Sequence, residues 1–125
     1  VNSSGMYCWG YNNEGELGDG TTATNYTPNL NLMTAPTQIS AGSFLTCAVN
    51  STGSRNDMYC WGQDGFGSLG TGGSGQKNSP FKNLMANTTA IAIGNYKGCA
   101  TNGSGMYCWG YNSYGQIGNG RTTKK

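Results

Sequence analysis

Gly105-Met106-Tyr107-Cys108-Trp109-Gly110-Tyr111-Asn112-Ser113-Tyr114-Gly115-Gln116-Ile117-Gly118-Asn119-Gly120 is the last of three copies of one pattern. The first copy runs Gly5-Met6-Tyr7-Cys8-Trp9-Gly10 and then Tyr11-Asn12-Asn13-Glu14-Gly15-Glu16-Leu17-Gly18-Asp19-Gly20. The second opens Asp57-Met58-Tyr59-Cys60-Trp61-Gly62 and keeps Gly67, Gly70 and Gly72 over residues 63–72. Successive tryptophans lie 52 residues (61 − 9) and 48 residues (109 − 61) apart. A further block precedes two of the copies. It reads Ile39-Ser40-Ala41-Gly42 then Thr46-Cys47-Ala48-Val49, and again Ile91-Ala92-Ile93-Gly94 then Gly98-Cys99-Ala100-Thr101. Low-complexity chains do not hold a Trp-Gly pair beside Gly-x-[Leu/Ile]-Gly three times over. The repeat is therefore structural, with a period near that of blade-forming repeats.

Strands follow from side-chain type and alternation. Met6 to Trp9 and Met106 to Trp109 place Tyr and Trp on one face and Met and Cys on the other. Ile39 to Ala41, Phe44 to Val49 and Ala90 to Ile93 are apolar runs bounded by Gly, Asn or Ser. No apolar period of 3.6 residues appears. The nearest candidate, Leu30 to Met33, is bracketed too tightly by Pro28 and Pro36 for a helix. With 22 glycines and 3 prolines, the composition suits short strands joined by tight turns. The fold class read from this is all-β, built of β-propeller blades.

The pattern Cys-Trp-Gly-x-Asn-x-x-Gly-x-[Leu/Ile]-Gly-x-Gly resembles the regulator-of-chromosome-condensation repeat, in its cysteine-bearing bacterial and surface form. The resemblance extends over essentially the whole chain. It implies about two and a half blades of a seven-bladed propeller, with blades expected at 1–35 (partial), 36–88 and 89–125 (partial). The family often carries histidine two places before the first cysteine of the repeat. Those places hold Leu45 and Lys97 here, and the chain has no histidine.

The cysteines fit hairpins. Taking Gly103-Ser104 as a two-residue turn pairs Asn102 with Gly105, Thr101 with Met106, Ala100 with Tyr107 and Cys99 with Cys108. That last pair falls at a non-hydrogen-bonded rung, where Cα atoms approach to about 4.5 Å, within disulfide reach. Cys47 and Cys60 occupy the same register, with Ser54, Arg55, Asn56 and Asp57 read as a four-residue insertion in the turn. The disulfides expected are Cys47–Cys60 and Cys99–Cys108. By the same pairing, the partner of Cys8 would stand two places before Val1. Residues 1–125 are thus expected to be a piece of a longer propeller. Its open blade faces would need cover from the rest of that propeller or from neighbouring subunits.

Several functions are disfavoured. Histidine, the commonest general base, is missing. The acids are Glu14, Glu16, Asp19, Asp57 and Asp64, of which Glu14 and Glu16 are read as lying on an exposed turn. No catalytic residue, metal ligand set or cofactor is expected. The glycine loops lack Gly-Lys-[Ser/Thr] and are read as turns rather than phosphate cradles. The net charge is +2, with the basic excess at Arg121, Lys124 and Lys125. No basic stripe points to nucleic acid, and no apolar run suffices for a membrane span.

Trp9, Trp61 and Trp109 recur in every copy and are read as blade-packing residues. Tyr11 and Tyr111, just past the Trp-Gly, are the candidate surface-recognition residues. Five Asn-x-[Ser/Thr] sequons, at Asn2, Asn25, Asn50, Asn87 and Asn102, are candidate N-glycosylation sites for a eukaryotic secretory chain. Disulfides imply an oxidising compartment. The functional expectation is a non-catalytic extracellular or cell-surface module that binds a protein or glycan. One alternative is a structural subunit of a surface filament or appendage. A second, implied by eukaryotic family members, is guanine-nucleotide exchange on a small GTPase. A third is inhibition of a protease or β-lactamase, as in some similar bacterial propellers.

Overall fold

The computed structural model describes residues 5–33, 36–83 and 85–123. They form nine strands and, among the described residues, no helix: β1 (Tyr7–Gly10), β2 (Asn25–Leu30), β3 (Pro36–Ala41), β4 (Leu45–Thr52), β5 (Arg55–Gly62), β6 (Lys77–Lys82), β7 (Ala90–Ile93), β8 (Lys97–Asn102) and β9 (Gly105–Gly110). Three antiparallel sheets result, with strand orders β1-β2, β3-β4-β5-β6 and β7-β8-β9. Each sheet is a meander, as blades are.

Register follows the turns. Gly103-Ser104 turns β8 into β9, and Asn102↔Gly105 through Cys99↔Cys108 pair as the two-residue turn dictates. The longer hairpin departs from the sequence reading. Ser54 to Asp57 are not an insertion in the turn. The turn is Gly53-Ser54, Thr52 pairs with Arg55, and the ladder gains rungs on both strands before reaching Cys47↔Cys60. Because side-chain direction has period two, an even extension keeps the same faces and the same rung type. Both cysteine pairs therefore sit alike in their hairpins despite sequence separations of 13 and 9.

The outer strands β2 and β6 were not evident in the sequence. Each is polar and contains a proline, Pro28 or Pro80, which normally argues against a strand. Both prolines are tolerated because these strands lie at sheet edges, where one row of donors faces away from the ladder.

Alternation divides the middle sheet into two packing faces. Leu45, Cys47, Met58 and Cys60 point toward the third sheet and join Leu69, Ala100 and Trp109 in one core. Ala48, Tyr59 and Trp61 point the other way and join Met6, Met33 and Cys8 in a second. The cores thus lie between sheets. The third sheet docks beside the middle one along β3 and β7. There Gln38 Nε2 donates to Thr89 O at 2.8 Å, and the Ile93 amide donates to Ser40 Oγ at 2.9 Å.

Candidate functional site

The loops that follow each Trp-Gly are built alike around one buried side chain. Asn12 Oδ1 accepts the Leu17 amide at 2.8 Å, and Asn112 Oδ1 accepts the Ile117 amide at 2.9 Å. Their Nδ2 atoms donate to backbone carbonyls across the loop, Asn12 to Ala23 O at 3.0 Å and Asn112 to Arg121 O at 2.9 Å. The middle copy has Asp64 instead. Its Oδ1 accepts the Leu69 amide at 2.9 Å, but Oδ2 is buried without a partner. A carboxylate offers no N–H to replace the missing amide donor. Burial pushes the Asp64 pKa up, opposed by the Leu69 amide, Lys77 and Thr71.

Trp61 and Trp109 each seat on the loop of the preceding copy. Trp61 Nε1 donates to Glu16 O at 2.8 Å, and Trp109 Nε1 donates to Ser68 O at 2.9 Å. The seat requires glycine: a Cβ on Gly18 would lie 2.5 Å from Trp61 Nε1, and one on Gly70 would lie 2.9 Å from Trp109 Nε1. Trp61 is fully buried, whereas Trp9 is 58% exposed. Glu16 is buried too, not exposed as its loop position suggests. Its Oε2 accepts the Glu14 amide at 3.0 Å, and burial raises its pKa. That carboxylate oxygen braces the loop.

At the loop end of the middle and third sheets, aromatic rings form a continuous row. Phe44 stacks on Tyr96 with centroids 5.2 Å apart. Phe66 meets Tyr96 edge-on at 5.2 Å and Tyr111 at 5.1 Å. Tyr111 in turn meets Tyr114 at 6.3 Å. The backbone holds the row in place, because the Gln63 amide donates to Phe44 O and the Tyr111 amide to Tyr96 O, both at 2.8 Å. Tyr114 is 84% exposed at the end of the row, and the others are partly exposed. Beside it, Gly94, Asn95, Tyr96, Lys97, Tyr111 and Gln116 line a cavity of about 460 Å³.

The two tyrosines singled out from the sequence part company here. Tyr111 is central to the row, while Tyr11 is 55% exposed on the first loop, outside the row's ring contacts. Phe44, Phe66, Tyr96 and Tyr114 were missed. A signal existed for two of them, since Phe44 and Tyr96 both stand three places before the first cysteine of their repeat.

The cysteines are placed as two cross-strand disulfides, Cys47–Cys60 and Cys99–Cys108, each with Cα atoms 4.1 Å apart. Cys8 is a half-buried free thiol whose pKa burial raises. The position expected for its partner, and the Asn2 sequon, lie outside the described residues. Asn87 is exposed in a left-handed conformation at φ 56°. Asn25 and Asn102 are half-buried, with amides donating to Asp19 Oδ2 at 3.3 Å and Ala86 O at 3.3 Å. Asn50 is also half-buried. Among the described residues no group of three His, Cys, Asp or Glu could hold a metal ion, and no helix is long and apolar enough to cross a membrane.

The pattern of the regulator of chromosome condensation (RCC1) repeat matches residues 4–49, and a second form of the same repeat matches residues 37–68. The chain belongs to the RCC1 repeat family. Solved RCC1-type structures share its fold at low identity. Human WBSCR16 superposes with a TM-score of 0.79 at 21% identity, over 99% of this chain and 32% of that one. Prp20p from Saccharomyces cerevisiae, whose binding properties to Gsp1p and histones accompany its structure, gives 0.74 at 21% identity over 100% and 34%. Yeast RCC1 (Prp20) in complex with Kap60 gives 0.71 at 18% identity over 95% and 30%. The chain thus spans about a third of the length of these structures. Its three sheets are blades of a partial β-propeller.

Proposed function

We propose that this chain is a non-catalytic interaction module within one propeller domain, with blades at 1–35, 36–88 and 89–125, and that it binds a protein or glycan partner through the aromatic row. The observation that carries the reading is the continuity of Phe44, Tyr96, Phe66, Tyr111 and Tyr114 across two blades. Aromatic rings give a large contact area with little side-chain entropy to lose, and tyrosine adds a polar tip. Loops at the ends of a rigid scaffold are where binding groups concentrate. The RCC1-type neighbours whose structures are described with Gsp1p, histones or Kap60 are themselves protein-binding.

The proposed setting is extracellular or cell-surface, supported by the two hairpin disulfides, which persist in oxidising compartments. The same disulfides weigh against guanine-nucleotide exchange in the nucleus, where thiols stay reduced. In a glycosylating secretory pathway, Asn87 would carry the glycan. Its amide is exposed, whereas those of Asn25 and Asn102 are engaged.

A photo-crosslinking residue at position 114 tests the binding face, with one at Tyr26 on the outer edge as control. Tyr26 is 90% exposed, so it is at least as accessible as Tyr114. On native cells or medium, a discrete adduct is expected from position 114 alone. Equal adducts from both positions, or none from 114, would remove the row as the binding face.

A further inference from the structure

The middle glycine loop keeps the frame of its siblings but changes the atom at its centre. In the first loop Asn12 Nδ2 donates to Thr21 O at 3.2 Å and to Ala23 O at 3.0 Å, with Asp19 Oδ1 at 3.5 Å. In the third, Asn112 Nδ2 donates to Arg121 O and Thr123 O, both at 2.9 Å, with Asn119 Oδ1 at 3.4 Å. One side-chain amide thus gathers three oxygens. The residues at the matching positions of the middle loop are Gly73, Gly75 and Thr71. Asp64 Oδ1 accepts the Leu69 amide as the asparagine Oδ1 atoms accept theirs, so Oδ2 takes the place of Nδ2. It is an acceptor set among acceptors. Asp64 is 1% exposed, and Oδ2 has no hydrogen-bond partner among the described residues.

Burying a carboxylate oxygen unpaired is costly. Lys77 does not relieve the cost by a direct bond, because its Nζ lies over the Phe81 ring, 4.8 Å from the centroid. The donors gathered here are all oxygens, the ligands of hard cations. We propose that Asp64 Oδ2, the Gly73 and Gly75 carbonyls and the Thr71 hydroxyl form a calcium site, the ion doing the work of the sibling loops' amide. Calcium accepts about six to eight oxygens at about 2.3–2.6 Å in flexible geometry, and oxygens about 3 Å apart are neighbours in such a shell. Water can complete it. Gly72, Gly73, Ser74 and Gly75 are exposed, and a Cβ on Gly73 or Gly75 would meet nothing within 4 Å. Magnesium fits less well, since it demands a stricter octahedron and dehydrates reluctantly. A single carboxylate places the dissociation constant at the weak end of calcium sites, on the order of 10⁻⁴–10⁻³ M. A site of one carboxylate and backbone oxygens leaves no cluster of acidic side chains, so it differs from the three-side-chain sets that are missing among the described residues.

Calorimetric titration of CaCl2 into the 125-residue protein, treated with chelator and then dialysed free of it, tests the site, with thermal melts alongside. The parent is expected to bind calcium saturably at one ion per chain. Asp64→Asn supplies the amide that the sibling loops carry, so it should fold and bind calcium at least tenfold more weakly. Asp19→Asn removes a carboxylate from the first loop and should bind as the parent does. In calcium-free buffer Asp64→Asn should melt above the parent. Added CaCl2 should raise the midpoint of the parent, as any ligand of the folded state does, and leave that of Asp64→Asn in place. MgCl2 at the same concentration, and NaCl at the same ionic strength, should not reproduce the rise. Three outcomes would overturn the proposal. One is a parent with neither saturable binding nor a shifted midpoint. The second is calcium bound as tightly by Asp64→Asn as by the parent, or lost equally in Asp19→Asn. The third is an equal rise with MgCl2 or NaCl.

Discussion

Trp9 and Trp61 stand at the same place in the same repeat, yet one is 58% exposed and the other fully buried. Their strands share sequence, partner geometry and the following glycine. What differs is a loop from the preceding copy, which offers Trp61 the Glu16 carbonyl and the space above Gly18. In this fold a residue's own hairpin does not bury it; the neighbouring blade does. That is the nearest-neighbour energetics expected of repeat proteins.

The largest test of that contrast is truncation of the two indoles. Trp61→Ala leaves a cavity between blades and removes one of the two donors to the Glu16 carbonyl, so about 3–5 kcal/mol of stability should be lost. Trp9→Ala, at an exposed site in the monomer, should stay within about 0.5 kcal/mol. Urea melts of the two variants side by side measure the difference, and equal losses would break the comparison.

The disulfides sharpen it next. Cys47 and Cys60 are fully buried against the third sheet, whereas Cys99 and Cys108 are only half-buried. Mild reductant under native conditions, followed by alkylation and peptide mapping, should label Cys99 and Cys108 first. With loops of 13 and 9 residues, loss of each bond should cost about 3 and about 2.5 kcal/mol respectively. Labelling of Cys47 and Cys60 at the same rate would show that the middle blade gains no protection from its neighbour.

A smaller effect separates the middle loop from its siblings. Asp64 sits where they have asparagine, with a buried unpartnered Oδ2. Its folded-state pKa is raised above the ordinary 3.8 by burial. The neutral form is therefore favoured in the fold: its contribution is complete below the unfolded pKa and is lost as pH rises through the raised folded value. Asp64→Asn should restore the missing donor, stabilise the protein at pH 7 by roughly 1–3 kcal/mol, and remove that fall with pH. A variant no more stable than the parent at neutral pH would mean that Oδ2 is satisfied in solution.

The sequence made the blades legible because their determinants are local and recur. Trp-Gly, the glycine loop and the cysteine spacing each follow from strand and turn chemistry within one repeat, and the Cys99–Cys108 register followed from a single turn. The outer strands were hidden because Pro28 and Pro80 count against a strand everywhere except at an edge, and edge position is a tertiary fact. The candidate site was half legible. Tyr111 stood out beside its Trp-Gly, but the row also takes Phe44 and Tyr96 from strand turns and Phe66 from another blade's loop. Only the stacking of blades makes these residues neighbours. For the same reason Glu16 reads as exposed in sequence and is buried in the fold.

Hydrogen exchange at the three indole N–H groups tests the central claim most directly, at a concentration where sedimentation shows monomer. The account predicts three resolved indole signals: Trp61 strongly protected by Glu16 O, Trp109 protected by Ser68 O but less so, and Trp9 exchanging at the rate of free tryptophan. Protection of Trp9 equal to that of Trp61, or free exchange at Trp61, would contradict the claim that each blade is buried by the loop of the one before it.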